Sequence, residues 1–267
     1  MQTAPTLVMI PCFAGAPWQL NQLTHLQNCP MRSLRLPDDV SELETLADFI
    51  VDQVKDLAHY VLVGDSYGAV ASLAVATRQP KGLEGLVLSG GFAKSPITSP
   101  LLKTLAALAP FFPGPFYRQT TLRIHAAQLA SSFDQEGEIP WSSAKSRAFF
   151  VKETPHKAYV NRMRSIEQAD YAALLKQIDV PTLILTPQED KLIGADAAGI
   201  LLKGIKGSQE VILPRTGHMF RFSHPGAYSL EIRKFLERAL NGASHPGHRF
   251  RFYSASLSIA AGDREAL

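Results

Sequence analysis

Cysteine is scarce in this chain. Only Cys12 and Cys29 occur, too few for a disulfide framework and in keeping with a reducing compartment, so both are expected to be free thiols of a cytoplasmic protein. Long apolar runs are missing too. No stretch approaches the roughly 18–20 residues that cross a bilayer, and Met1 to Ile10 carries neither a basic region nor a long apolar one, so no membrane span and no secretory signal are expected. Neither sign of charge dominates: 27 basic residues stand against 24 acidic ones, and the Lys and Arg are scattered, which leaves no electrostatic footprint for nucleic acid. No His, Cys and Asp cluster has ligand spacing, and no glycine motif that cradles phosphate appears, since Ser89-Gly90-Gly91 is only a tight loop that edges the site. Neither a metal nor a cofactor is expected.

What is present has the composition of a folded globule. With 267 residues, 46% of them hydrophobic, the chain can bury the core of one large domain carrying an insertion. Short β-rich runs recur at Leu7 to Ile10, Met31 to Leu36, Tyr60 to Val63, Leu86 to Leu88, Thr182 to Leu185 and Glu210 to Leu213. Helical patterns lie between most of them. Val40 to Leu57 places Leu43, Leu46, Ala47, Ile50, Val54 and Leu57 on one stripe, with Ser41 and Glu44 spaced as a capping box. Strands that alternate with helices predict βαβ units and a mostly parallel sheet covered on both faces.

The alternation lapses between Phe92 and Asp179, a gap too long for a simple connection. Apolar helical stretches within it (Leu101 to Ala109, Leu122 to Phe133, Ala158 to Leu175), broken by several prolines, predict an inserted helical lid. The expected division is a core of residues 1–91 and 180–241, a lid of 92–179 and a tail of 242–267. Lid aromatics, among them Phe116, Phe150 and Tyr159, are candidates for a pocket lining, although most are expected simply to pack the lid onto the sheet. The final core helix runs from Pro225, suited to a first helical position, to Leu240. The alternation Tyr253, Ala255, Leu257, Ile259 in the tail reads as an edge strand with no functional role assigned.

Gly64-Asp65-Ser66-Tyr67-Gly68 follows one of these strands and opens an Ala-rich helix, Ala69 to Thr77. In that setting Gly-x-Ser-x-Gly is a nucleophile elbow, whose serine needs a strained backbone to project its hydroxyl and whose glycines leave room for the turn. A serine hydroxyl needs a base, and the base needs a carboxylate to hold it. Of eight histidines, His218 lies just past the strand Glu210 to Leu213, at the carboxyl end where ligands of open α/β sheets bind. His224 looks like a helix-start residue, and His245 and His248 fall in the tail. Asp190 follows the strand Thr182 to Leu185 in the same way, with Glu189 next to it as an alternative and Asp196 a distant third. Cys12 lacks an elbow and reads as small apolar packing, and Asp65 reads as structural or as a charge at the pocket mouth.

The order Ser66, Asp190, His218 in this setting resembles the α/β-hydrolase superfamily over roughly Leu7 to Leu240, including Val180-Pro181-Thr182-Leu183-Ile184-Leu185 ahead of Asp190 and Gly217-His218 before the last helix. In size and lid it is similar to the lidded serine esterases of that superfamily, pimeloyl-carrier-protein methyl ester esterases among them. The resemblance implies an oxyanion hole built from the backbone N–H groups of Phe13 and Tyr67. Two departures stand out: only six residues precede Leu7, which implies a sheet trimmed of the usual N-terminal hairpin, and Pro11-Cys12-Phe13 replaces the family's His-Gly-apolar loop.

The expected activity is therefore a serine carboxylesterase or thioesterase acting on a small-molecule or carrier-bound acyl substrate with an apolar or aromatic part. The same three residues also serve C–C bond hydrolases and acyltransferases, and Arg118, Arg123, Arg147, Arg162 and Arg164 keep open an arginine-lined lid that takes an acidic diketone. A hydrolase-like binding protein is the reading from another class. Substrate-binding residues and oligomeric state are not legible at this level.

Overall fold

The computed structural model describes residues 4–20, 23–97, 104, 108, 111 and 114–242. Six strands form one sheet: β1 (Thr6–Ile10), β2 (Met31–Ser33), β3 (Tyr60–Asp65), β4 (Leu83–Ser89), β5 (Thr182–Pro187) and β6 (Gln209–Leu213). Their order is β2-β1-β3-β4-β5-β6, and every neighbouring pair is parallel. No strand precedes β1 among the described residues. The strand expected over Met31 to Leu36 ends at Ser33, because Trp18 N–H takes the Ser33 hydroxyl and the chain turns away to hydrogen-bond Gly15 through Leu36 N–H.

Alternation along the strands divides the core between two faces. Leu7, Met9, Val61, Val63, Leu183 and Leu185 point to the face covered by α8 (Pro225–Gly242). Val8, Ile10, Leu62, Leu86, Leu88 and Ile184 point to the other, under α1 (Leu43–Val54), α2 (Tyr67–Ala76) and α7 (Ala195–Gly204). Every residue of α2 is buried, which explains why its sequence is apolar all round instead of striped. Each of its larger side chains contributes about 1.5–3 kcal/mol on burial.

The helix α1 starts at Leu43 with Glu42 at its N-cap and no side-chain cap, so the expected Ser41–Glu44 box does not form. Tertiary contacts take its acid instead: the Glu44 carboxylate accepts from Arg78 and from the Tyr171 hydroxyl. A capping box does form elsewhere, at Ser131 and Asp134.

Between β4 and β5 lies a helical segment. A short turn (Gly114–Phe116) and a π-helical turn (Tyr117–Thr121) lead into α3 (Leu122–Leu129), followed by α4 (Ser132–Gln135), α5 (Ser143–Glu153) and α6 (His156–Gln168). Helix α3 stops short of Phe133 because Ala130 is extended and Ser131 caps the next helix. Helix α6 stops at Gln168, short of Leu175. The two ends of the segment are tied to each other: Ser95 N–H donates to Ala169 O at 2.9 Å and Tyr171 N–H to Ala93 O at 2.7 Å. Most of the helix expected over Leu101 to Ala109, the tail strand, His245 and His248 lie outside the described residues. No helix among the described residues is long and apolar enough to cross a membrane.

Candidate active site

β1 lies between β2 and β3, so successive connections leave it in opposite directions and open a crevice at the carboxyl ends of the strands, where open α/β sheets bind ligands. Cys12 and Phe13 follow β1, Ser66 follows β3, Asp190 follows β5 and His218 follows β6, so all five converge on that end of the sheet.

Ser66 sits at φ 55° and ψ −112°, between the last residue of β3 and the first of α2. A non-glycine residue there stores of order 1–3 kcal/mol of strain. The surrounding backbone imposes it. A Cβ on Gly64 would meet the backbone of Gly68 and Ala69, and one on Gly68 would meet the carbonyls of Ile10 and Pro11. The two glycines therefore let α2 start directly against β1 and β3, which leaves Ser66 no room to relax.

The Ser66 hydroxyl lies 2.9 Å from His218 Nε2, and His218 Nδ1 lies 2.8 Å from Asp190 Oδ2. The other Asp190 oxygen accepts from Leu192 N–H at 2.8 Å and Ile193 N–H at 3.1 Å, which fixes the carboxylate. Glu189 makes no bond to His218, and Asp196 lies exposed in the first turn of α7, so Asp190 is the carboxylate that the fold brings to the imidazole. His224 is bonded to Ser223 instead.

Burial opposes a charged His218, but the Asp190 carboxylate, supported by Asp65 and Asp134, outweighs it and holds the imidazole above its ordinary value. Burial likewise acts against the Asp190 charge, and His218 with the two N–H donors brings that carboxyl below its usual range. An imidazole placed between a fixed carboxylate and a hydroxyl can take the hydroxyl proton and keep the resulting charge stabilised. Tyr67 is the first residue of α2, so its N–H has no acceptor within the helix. Phe13 N–H has no acceptor among the described residues.

A cavity of about 420 Å³ opens beside Ser66, within the usual range of small-molecule sites. Phe92, Phe150, Ile166, Ile193 and Phe222 give it a mainly apolar wall, and its mouth passes the half-exposed Phe116 and the exposed Ile124. No Lys or Arg stands among its described lining residues. Of the five arginines considered for an acid-binding lid, Arg123, Arg147 and Arg164 are exposed, Arg162 is buried against backbone carbonyls, and the Arg118 side chain is outside the described set. Trp141 and Phe149 pack on Phe222 as bulk core.

Cys12 also lines the cavity, and burial, with the nearby Asp65, pushes its thiol up, away from the thiolate a nucleophile needs. Both cysteines are free. Asp65 is buried and paired with Arg221 rather than standing at the mouth. Gly90, at φ 51°, packs beneath the His218 ring, which places the Ser89-Gly90-Gly91 loop at the edge of the site.

Three features escaped the sequence reading. His125 of α3 lines the cavity and stacks on Phe13 at 5.3 Å, and burial lowers it to about 4, so it is neutral. Arg221 is buried behind the elbow. Asp134 is fully buried and bonds Ser131 and Ser223, bracing the loop that carries His218. Only the last had a local signal, the Ser-x-x-Asp spacing of a capping box.

Comparison with known proteins gives a consistent answer. A model described as the alpha/beta hydrolase family matches residues 7–229. The chain is 26% identical over 207 residues to a pimeloyl-[acyl-carrier protein] methyl ester esterase of Neisseria meningitidis serogroup A, with 76% of this chain and 64% of that protein covered. It is 28% identical over 207 residues to a 2-hydroxy-6-oxononadienedioate/2-hydroxy-6-oxononatrienedioate hydrolase of Escherichia coli O81, with 71% and 66% covered. The chain thus spans under two thirds of the length of these curated relatives. Among solved structures, a hydrolase from Pseudomonas aeruginosa PA01 shares the fold at a TM-score of 0.74, with 18% identity over 87% of this chain and 89% of that one. With its parallel sheet, its strained serine after β3 and a family match over most of its length, this chain belongs to the alpha/beta hydrolase family.

Proposed function

We propose that this hydrolase cleaves a carboxylic ester or thioester whose acyl part is apolar or aromatic, with Ser66 as nucleophile, His218 as general base and acid, and Asp190 as the group that orients the imidazole. One observation carries the reading: the hydrogen-bonded line from Asp190 through His218 to the strained Ser66 hydroxyl ends at the wall of an apolar cavity. Ser66 Oγ attacks the carbonyl carbon as His218 Nε2 takes its proton. The carbonyl oxygen becomes an oxyanion held by the N–H groups of Phe13 and Tyr67. His218 then gives the proton to the departing alcohol or thiol and an acyl-Ser66 remains. Water attacks the acyl carbon, His218 takes its proton, and the acid departs as Ser66 regains its hydrogen.

Residues 92–179 act as the lid, and those described among them supply much of the cavity wall and its mouth. The absence of cationic side chains among the described lining residues favours a neutral acyl group over an acidic diketone. Small-molecule and carrier-bound esters both fit a cavity open at Phe116 and Ile124. We place the protein in the cytoplasm, where reducing conditions keep Cys12 and Cys29 free.

The test is hydrolysis of p-nitrophenyl esters from acetate to laurate by wild type and Ser66→Ala, with fluorophosphonate labelling of both. Turnover and labelling confined to the wild type are expected, with an optimum in chain length that sizes the cavity. Undiminished turnover in Ser66→Ala would remove the serine from the mechanism, and ligand binding without turnover in either protein would make this a binding module.

A further inference from the structure

We infer that Arg162, on α6 of the inserted segment, is a positioning residue that holds the oxyanion loop in its working geometry. Its Nη1 donates to the carbonyls of Phe13 (3.0 Å) and Ala14 (2.9 Å). Its Nη2 donates to the carbonyls of Leu36 (3.3 Å) and Pro37 (3.2 Å) and to Asp38 Oδ1 (2.9 Å). One guanidinium therefore ties the loop after β1 to the segment after β2.

The side chain is 2% exposed, whereas Asp38 is 48% exposed, so its charge is balanced largely by backbone dipoles. Burying a cation in this way is a poor route to stability alone, since an apolar side chain of similar volume does as well or better. What the guanidinium provides is geometry. The planar fork reaches four carbonyls on two separate loops and the Asp38 carboxylate at once, whereas a Lys ammonium has three donors at a single point.

The loop has built itself around this group. Gly15 is at φ +74°, and a Cβ there would collide with the Arg162 guanidinium. Gly15 N–H donates to Cys12 O at 2.8 Å, and because the peptide is trans, Phe13 N–H must point the opposite way. The Cys12–Phe13 peptide is held directly by that turn bond, and Arg162 holds the carbonyls of the two peptides that follow, so the turn presenting Phe13 N–H is anchored on its far side. Tyr159, three residues before Arg162 on the same helix, packs edge-on against the Phe13 ring at 5.4 Å. The inserted segment thus sets the loop through both backbone and side chain. This inference rests on the proposed role of the Phe13 N–H as an oxyanion donor.

The experiment compares wild type, Arg162→Lys, Arg162→Met and Asp38→Lys on one p-nitrophenyl ester. Active-site titration with a fluorophosphonate counts competent sites, so the rate per site is separated from any loss of folded protein. Arg162→Lys and Arg162→Met are expected to lose about 100-fold in kcat per titrated site, the scale of one missing oxyanion donor, with KM within roughly 2-fold of wild type. Affinity for an alkylboronic acid, which mimics the tetrahedral oxyanion, should fall with kcat. Asp38→Lys changes a half-exposed residue and so folds even where the Arg162 variants do not; its cation repels the guanidinium, and a loss of about 3- to 10-fold in kcat is expected. Unchanged kcat per site, a loss confined to KM, or a loss confined to the titre would each overturn the inference while leaving the serine hydrolase reading intact. A wild type with neither turnover nor labelling would overturn both.

Discussion

Arg221 Nε donates to Asp65 Oδ2 at 2.7 Å, and each side chain is only 5% exposed. Asp65 is the residue before Ser66, and Arg221 is three residues after His218, so this pair joins the loop of the nucleophile to the loop of the base. The guanidinium also lies over the rings of Trp18 (4.2 Å) and Phe222 (3.9 Å), which excludes water from it. Together with the Ser66–His218 hydrogen bond, the pair fixes the two loops relative to each other.

Arg221→Met is accordingly expected to destabilise the fold by about 3–5 kcal/mol, because it strands a buried carboxylate. The double variant Asp65→Leu/Arg221→Met should recover much of that loss in urea unfolding. A single variant as stable as the wild type would mean that Asp65 finds another partner or water.

Replacing the elbow serine separates strain from chemistry. At φ 55° glycine is unstrained and alanine is not, so Ser66→Gly should be more stable than Ser66→Ala by about 1 kcal/mol, with neither variant turning over. Equal midpoints in thermal unfolding would show that the backbone relaxes around the substitution.

The pH profile follows from His218. Only the neutral imidazole accepts the Ser66 proton, so kcat/KM should fall as pH drops through the His218 pKa and level off above it. Since Asp190 raises that pKa despite burial, the midpoint should lie above the ordinary 6.5. Asp190→Asn removes the main cause of the increase, so its midpoint should move to lower pH, with turnover reduced by about 10,000-fold. His125, lowered to about 4 by burial, is neutral throughout this range and should add no second limb.

The cavity wall predicts a preference. With no Lys or Arg among its described lining residues, the site should discriminate against a p-nitrophenyl half-ester of a dicarboxylic acid relative to the monoacid ester of equal length by at least about 10-fold in kcat/KM. Gln128→Arg should narrow that gap by giving the carboxylate a partner. Equal rates for the two esters would place the acyl chain outside this cavity.

The residues that were legible share a local cause. Ser66 stands out because the strand before it, the helix after it and the two glycines are all written within a few positions. Asp190 and His218 stand out because each follows a β-rich run by a few residues, and a parallel sheet sends all such ends to one side. The adjacent Glu189 kept its choice open until Leu192 and Ile193 N–H groups fixed the Asp190 carboxylate. The box expected at Ser41 and Glu44 failed for the converse reason, since Tyr171 and Arg78, far along the chain, claim the acid.

Periodicity and turn chemistry thus determined the sheet, its covering helices and the loops that carry the three aligned side chains, because those depend on neighbours in the chain. Where Arg162 and Arg221 spend their charges was decided only by the tertiary structure. A side chain that long reaches carbonyls and carboxylates more than a hundred residues away, and no local pattern records which of them the folded backbone will bring within reach.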